Sequence, residues 1–126
     1  MNQVILASGS PRRADLLRQI RISFDIMPST EYEPSPENQI PEDYVVKTAC
    51  LKGESVRKKL NLDFHEFEKF VLAADTIVSV DGEVLGKPRD TKDACCMLRR
   101  YSGREVHVTT AIFLADSKSV ITGYEK

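Results

Sequence analysis

The strongest constraint on the fold is the segment Val4–Arg13, which has the pattern of a buried strand leading directly into a helix. Its apolar start is rich in β-formers, and a Ser8-Gly9-Ser10 turn follows. Ser10 is a favoured N-cap residue, and Pro11 is the residue type preferred at the first helical position. The segment therefore predicts a strand that delivers the chain to the N-terminus of a helix.

The first turn of this helix carries Arg12 and Arg13, although cations are disfavoured there. Exposed N–H groups and the helix dipole favour anions, so each arginine should cost from a few tenths to about 1 kcal/mol. A bound polyanion, held by the helix N–H groups, by Ser8 and Ser10 and by two guanidinium groups, would compensate for this cost. The alternative is that both arginines extend into water. We favour a phosphate-binding site.

The charge of the chain is balanced, with 18 Lys and Arg against 19 Asp and Glu, so we expect neither nucleic acid nor a membrane surface as a partner. The cysteines Cys50, Cys95 and Cys96 lack C-x-x-C spacing, which argues against a disulfide framework and a structural zinc. They fit a reducing cytosol, so we expect a cytoplasmic protein. No basic segment followed by an apolar run precedes the first strand, so we expect no leader, and we expect the 126 residues to form one domain.

Residue patterns predict the other elements of the chain. Apolar spacing, turn residues and capping residues indicate a helix at 12–19, a strand at 22–26, a helix at 41–60, a connector at 64–70, a strand at 71–80, a hairpin at Asp81-Gly82, a helix after Asp90, a strand at 106–114 and a strand from 120. The predicted buried faces are Val45, Ala49, Val56 and Leu60 on the second helix and Ala94, Met97, Leu98 and Tyr101 on the third.

Four charged side chains stand out because of where these patterns place them. Lys52 lies within the apolar stripe of the second helix, so its ammonium either reaches past the core edge or points at a negative group. Asp75 interrupts an apolar strand, where a buried carboxylate needs a cation, a metal or hydrogen bonds. Glu33 lies in an acidic loop of a kind that is usually solvated. Lys87 either binds phosphate or is an ordinary turn lysine.

Carboxylates beside an anion-binding turn favour a site for a metal-bound phosphate. Mg²⁺ takes one or two carboxylates together with phosphate oxygens and keeps several waters. Such a metal activates a water, and a nearby carboxylate accepts its proton. The segment from Gly82 to Lys87 is not a Walker loop, because proline follows the lysine where a hydroxyl must hold magnesium. The residues alone favour metal-assisted attack of water on a phosphoanhydride, without fixing the bond or the base.

Four ordered motifs resemble those of the Maf family of nucleoside triphosphate pyrophosphatases: Ala7–Arg13, Ala73–Val78, Asp81–Pro88 and Tyr101–His107. The resemblance implies an α/β fold similar to that of inosine triphosphatases, with a bent mixed β-sheet flanked by helices and the substrate in a cleft. It also implies hydrolysis of a nucleoside triphosphate to the monophosphate and pyrophosphate, with Mg²⁺ or Mn²⁺ as the divalent metal.

The resemblance further implies roles for single residues. Asp75 matches the proton acceptor of the family, and Glu33 and Asp75 are the expected metal ligands. The implied substrate-binding residues are Ser8, Ser10, Arg12, Arg13, Lys52, Thr76 and Lys87. Arg12 and Thr76 match the branch that is similar to dTTP/UTP pyrophosphatases.

Family chains continue well beyond Lys126, so we expect residues 1–126 to form a single Maf-like domain that lacks the C-terminal part of the fold. An exposed sheet edge would then be inclined to pair with another chain, which predicts a homodimer. Two alternatives to the enzyme stay open: a protein that binds nucleotides or anions without turnover, and a regulatory protein linked to cell division. Gly53 stands where the family usually has alanine, and it should soften the helix by about 1 kcal/mol.

Overall fold

The computed structural model describes residues 3–30, 33–63 and 69–126. The elements in chain order are β1 (Gln3–Leu6), α1 (Pro11–Gln19), β2 (Phe24–Ile26), α2 (Pro41–Asp63), β3 (Lys69–Val80), β4 (Glu83–Leu85), α3 (Thr91–Tyr101), β5 (Val106–Ala115) and β6 (Val120–Glu125). The predicted elements are confirmed, with boundaries that differ by a few residues. Most of the predicted connector, residues 64–68, lies outside the described residues.

The described strands form one mixed sheet in the order β2-β1-β3-β5-β6, and β4 also pairs with β3. β1 is parallel to β2 and β3, whereas β3 is antiparallel to β4 and β5, and β5 is antiparallel to β6. β5 occupies one edge of β3 from Val71 to Val80. On the other edge of β3, pairing with β1 ends at Leu72 and pairing with β4 begins at Val78. Among the described residues, positions 73–77 of β3 therefore have no strand beside them on that edge.

Helix α2 covers one face of the sheet and forms most of the core. The predicted stripe is buried as expected, and it packs with residues of β1, β3 and β5 that include Ile5, Val71, Ala73 and Phe113. Gly53 is part of this packing, because a Cβ added there would lie 2.1 Å from Cδ1 of the fully buried Phe113 ring. The glycine therefore makes room for an aromatic side chain of β5.

Helix α1 packs on the opposite face, at the β1 side of the sheet. Its buried residues Ala14 and Leu17 contact Leu6, and Phe24 and Leu72 pack around them. Helix α1 begins as predicted, since the Ser10 hydroxyl caps it and Pro11 is its first residue. Local sequence thus fixes the orientation of the helix N-terminus at the end of β1.

The prediction that α3 has a buried apolar face is wrong. None of the described side chains of α3 is buried, and Leu98 is 67% exposed. The helix lies beside the three-residue strand β4, where Arg100 donates to Glu83 at 2.8 Å, so the sheet below it offers little area to cover its apolar residues. The ends of the helix are as predicted, with Asp90 as the N-cap and a left-handed glycine just beyond its end, at 103.

None of the helices in the described ranges has both the length and the apolar character needed to cross a bilayer.

Candidate active site

A cleft of about 880 Å³ lies along the stretch of β3 that β1 and β4 leave uncovered. The N-terminal end of α1, the loop before α2, the β4–α3 turn and α3 itself contribute to its walls. Seven of the nine predicted site residues line it: Ser10, Arg13, Glu33, Lys52, Asp75, Thr76 and Lys87. The sheet therefore brings cations from three segments to the same space as the carboxylate of Asp75.

Arg13, in the first turn of α1, is held by the hydroxyl groups of Ser8 and Thr76. Its Nη1 donates to Ser8 Oγ at 3.1 Å, and its Nη2 donates to Thr76 Oγ1 at 3.3 Å. Ser8 is buried, and its Oγ also accepts the Ser10 N–H at 3.2 Å. Thr76 Oγ1 is hydrogen-bonded in turn to Thr110 Oγ1 at 2.9 Å. The guanidinium is thus oriented by its neighbours before any ligand is bound, and Ser8 acts from behind the cleft wall.

Arg12 does not line this cleft. It lies on an adjoining groove of about 510 Å³ between α1 and the open face of the sheet, whose walls include Leu16 and Ile112. Consecutive helical residues point about 100° apart, and Arg13 lines both the cleft and the groove whereas Arg12 lines the groove alone. Thr76 lines both the cleft and the groove, and it therefore marks where the two meet.

Lys52 points at negative groups, which decides between the two alternatives left open by its sequence position. Its Nζ lies 2.8 Å from Glu33 Oε1 and 3.2 Å from Asp75 Oδ1. Burial would lower the pKa of Lys52, but the ion pairs with Glu33 and Asp75 outweigh this effect and raise that pKa above its ordinary value. The lysine is therefore a charged link between two carboxylates that are far apart in sequence.

Two residues of α2 contribute to the site although no sequence argument singled them out. The buried Thr48 hydroxyl donates to Asp75 Oδ2, and the Tyr44 hydroxyl donates to the Pro34 carbonyl oxygen at 2.9 Å. Burial, and then the nearby Glu33 and Asp75 charges, raise the pKa of Tyr44. Tyr44, Thr48 and Lys52 are spaced by four residues and so share one helix face, a signal that the sequence does contain.

The described residues hold no group of three or more His, Cys, Asp or Glu side chains that could bind a metal ion by themselves. Glu33 and Asp75 are two carboxylates that already face one cation, the ammonium of Lys52. Oxygen ligands of this kind suit Mg²⁺, which commonly takes one or two carboxylates and completes its shell with phosphate and water. The donor set therefore fits a divalent ion that arrives with a phosphate ligand.

Comparison with known families and sequences identifies relatives of this chain. Residues 3–126 match the family model described as Maf-like protein. A dTTP/UTP pyrophosphatase of Methylobacillus flagellatus is 43% identical over 122 residues, covering 95% of this chain and 59% of the relative. A dTTP/UTP pyrophosphatase of Caldicellulosiruptor bescii is 39% identical over 128 residues, covering 100% of this chain and 63% of the relative. The chain thus spans about three fifths of the length of these relatives.

Solved structures share the fold at low sequence identity. The Staphylococcus aureus Ham1 protein superposes with a TM-score of 0.59 at 17% identity, covering 97% of this chain and 69% of that protein. A nucleoside-triphosphatase / dITP/XTP pyrophosphatase from Mycobacterium abscessus gives a TM-score of 0.56 at 17% identity, covering 98% of this chain and 70% of that protein. These likenesses confirm the predicted α/β fold, a mixed sheet flanked by helices.

Proposed function

The chain belongs to the Maf-like protein family, and on that premise we propose that it is a nucleoside triphosphate pyrophosphatase that hydrolyses dTTP or UTP. The products are the nucleoside monophosphate and pyrophosphate. The observation that carries the proposal is the shared cleft: Arg13, Lys87 and Asp75 line one space at the uncovered stretch of β3. The relatives from Methylobacillus flagellatus and Caldicellulosiruptor bescii are dTTP/UTP pyrophosphatases, and this supports dTTP and UTP as the substrate class.

The triphosphate binds at the cationic part of the cleft. Pro11 has no N–H and the Arg13 N–H donates to Ser10 Oγ, so the attraction at this end of α1 comes from the positive end of the helix dipole and from the planar guanidinium of Arg13, which can bind two phosphate oxygens at once. Lys87, on the β4–α3 turn, adds a second positive charge from another wall. Because Ser8 and Thr76 already orient Arg13, little side-chain freedom is lost when the ligand binds.

Glu33 and Asp75 are the residues that would hold a divalent metal brought in with the substrate. When bound, the metal neutralises charge on the phosphates and makes water a stronger nucleophile. The ammonium of Lys52 pairs with both carboxylates and holds them facing the same region. Mg²⁺ and Mn²⁺ both accept such oxygen ligands.

Asp75 accepts the proton of the attacking water. The water oxygen forms a bond to the α-phosphorus, the bond from that phosphorus to the bridging oxygen breaks, and pyrophosphate leaves with the electron pair. The proton is held on the Asp75 carboxylate, whose side chain is 13% exposed and therefore sits in a partly desolvated place. Positioning of this carboxylate relies on the ammonium of Lys52 and the hydroxyl of Thr48.

The groove beside the cleft accommodates the nucleoside. Thr76 lines both spaces, so a nucleotide with its phosphates in the cleft extends past Thr76 toward Arg12. The groove is mostly apolar, with Leu16 and Ile112 among its walls, and offers polar groups at Arg12 and Thr110. An apolar slot with a few polar groups suits the flat face and polar edge of a pyrimidine.

The test is product analysis with dTTP and Mg²⁺ in water enriched in ¹⁸O. The proposal predicts dTMP and pyrophosphate in equal amounts, with the label in dTMP because water attacks the α-phosphorus. Release of inorganic phosphate with dTDP would contradict it. Stabilisation of the protein by dTTP without any product would favour the alternative of a nucleotide-binding protein without turnover.

A further inference from the structure

The hydroxyl of Thr48 makes a contact that packing does not require. Thr48 lies on α2 and is 1% exposed, so its side chain has almost no access to water. Its Oγ1 lies 3.0 Å from the Val45 carbonyl oxygen, the usual local acceptor of a helical threonine. That contact alone would satisfy the hydroxyl, yet the same oxygen also contacts Asp75 Oδ2.

The two oxygens of Asp75 are thereby held by two residues one helical turn apart. Oδ1 lies 3.2 Å from the ammonium of Lys52, and Oδ2 accepts from the hydroxyl of Thr48. The last torsion of an aspartate side chain is broad, so a contact at a single oxygen leaves the carboxylate free to rotate about it. Contacts at both oxygens fix its plane relative to α2.

We propose that Thr48 is a positioning residue that sets the plane of the Asp75 carboxylate for the reaction. The inference rests on the proposed function, because it assigns Thr48 a part in the same step. A reaction that needs one oxygen of Asp75 directed at a water is sensitive to a small rotation of this group. Thr48 is not among the residues that line the cleft, so loss of its hydroxyl should affect the rate more than substrate binding.

Three variants test the proposal. Thr48→Val removes the hydroxyl and keeps the side-chain shape, Thr48→Ser keeps the hydroxyl, and Thr109→Val is the matched control. Thr109 is also a fully buried threonine, and its Oγ1 has no hydrogen-bond partner among the described residues. We expect Thr48→Val to lower kcat for dTTP about tenfold, with KM changed less than about twofold. The other two variants should keep the kcat of the unmodified chain.

Several outcomes would overturn the inference without touching the proposed function. These are an unchanged kcat in Thr48→Val, an equal loss in Thr48→Ser, and a loss that appears only as a raised KM. If Thr48→Val does not fold, Thr48→Ala removes the same hydroxyl and is measured in its place.

A chain that turns over no dTTP would contradict the proposed function. Crystal structures of the Thr48 variants would then test whether Thr48 positions the Asp75 carboxylate. The inference predicts that the Asp75 carboxylate is rotated in Thr48→Val and unchanged in Thr48→Ser. An unrotated carboxylate in Thr48→Val would overturn it.

Discussion

The ammonium of Lys52 lies 3.2 Å from Oδ1 of Asp75, so that a lysine of α2 neutralises a carboxylate in the middle of the strand β3. The same ammonium lies 2.8 Å from Glu33. Asp75 is largely buried and Glu33 is more than half exposed, so the pairing with Asp75 matters more for stability.

Replacing Lys52 by methionine should destabilise the protein. Lys52→Met leaves the Asp75 carboxylate partly buried without its cation, and we expect the free energy of unfolding to fall by about 2 kcal/mol. Denaturant unfolding at neutral pH measures this loss. Lys58→Met is the control, since Lys58 is an exposed lysine on the same helix and its replacement should change stability little. Equal stability of both variants would contradict the assigned role of the ion pair.

From neutral pH upwards, the contribution of Lys52 to stability should fall only at the alkaline end. Its pKa is raised in the folded protein above the ordinary value of 10.5. The stabilisation is therefore fully present below pH 10.5 and is lost as the pH rises through the higher folded-state pKa. Unfolding of the unmodified chain and of Lys52→Met, compared from about pH 7 upwards, should show a constant difference that shrinks only at the alkaline end. A difference that shrinks between about pH 7 and about pH 9 would contradict this.

Arg13 should be irreplaceable by lysine despite the equal charge. Its guanidinium spans Ser8 and Thr76, a geometry that a single ammonium cannot reproduce. We expect Arg13→Lys to weaken dTTP binding about tenfold or more, measured by calorimetry or by nucleotide-induced thermal stabilisation. Arg18→Lys is the matched control, because Arg18 lies on the same helix but contacts Asp15. Similar binding by both variants would remove Arg13 from the phosphate site.

Gly53 should be intolerant of alanine although alanine is the better helix former. A methyl group at Gly53 would overlap the Phe113 ring, and such overpacking costs typically about 1–3 kcal/mol against a propensity gain of about 1 kcal/mol. Gly53→Ala should therefore lower the melting temperature, and the added change Phe113→Leu should restore part of it. Gly123→Ala is the control, since among the described residues no heavy atom beyond its two chain neighbours lies within 4 Å of an added Cβ there. A higher melting temperature in Gly53→Ala would show that Phe113 moves aside freely.

Much of the fold could be predicted because its signals are local. The N-cap at Ser10, the left-handed turn at Asp81 and Gly82 and the stripe of α2 each follow from residues a few positions apart. The buried face of α3 could not be predicted in this way. Its apolar residues have the spacing of a covered helix, but the strand beside it is only three residues long, and this depends on the tertiary arrangement.

The candidate site was predictable where charge conflicted with local structure. Asp75 within an apolar strand needed a partner, and Lys52 supplies it, whereas Arg13 at the helix N-terminus contacts only neutral hydroxyls among the described residues and keeps its charge for an anion. Thr48 was missed because a threonine in a helix has a local acceptor and gives no such conflict. The separation of Arg12 from the cleft was missed for another reason, since a linear pattern does not show on which side of α1 each arginine lies.

The most direct test of the central claim is the turnover of dTTP by Asp75→Asn, measured beside the binding of dTTP to the same variant. Asparagine keeps the size of the side chain but cannot accept the proton of the attacking water. We predict a fall in kcat of about 10²–10⁴-fold, with dTTP still bound. Pyrophosphate released by Asp75→Asn at the rate of the unmodified chain would contradict the claim that this carboxylate and the facing cations form one catalytic cleft.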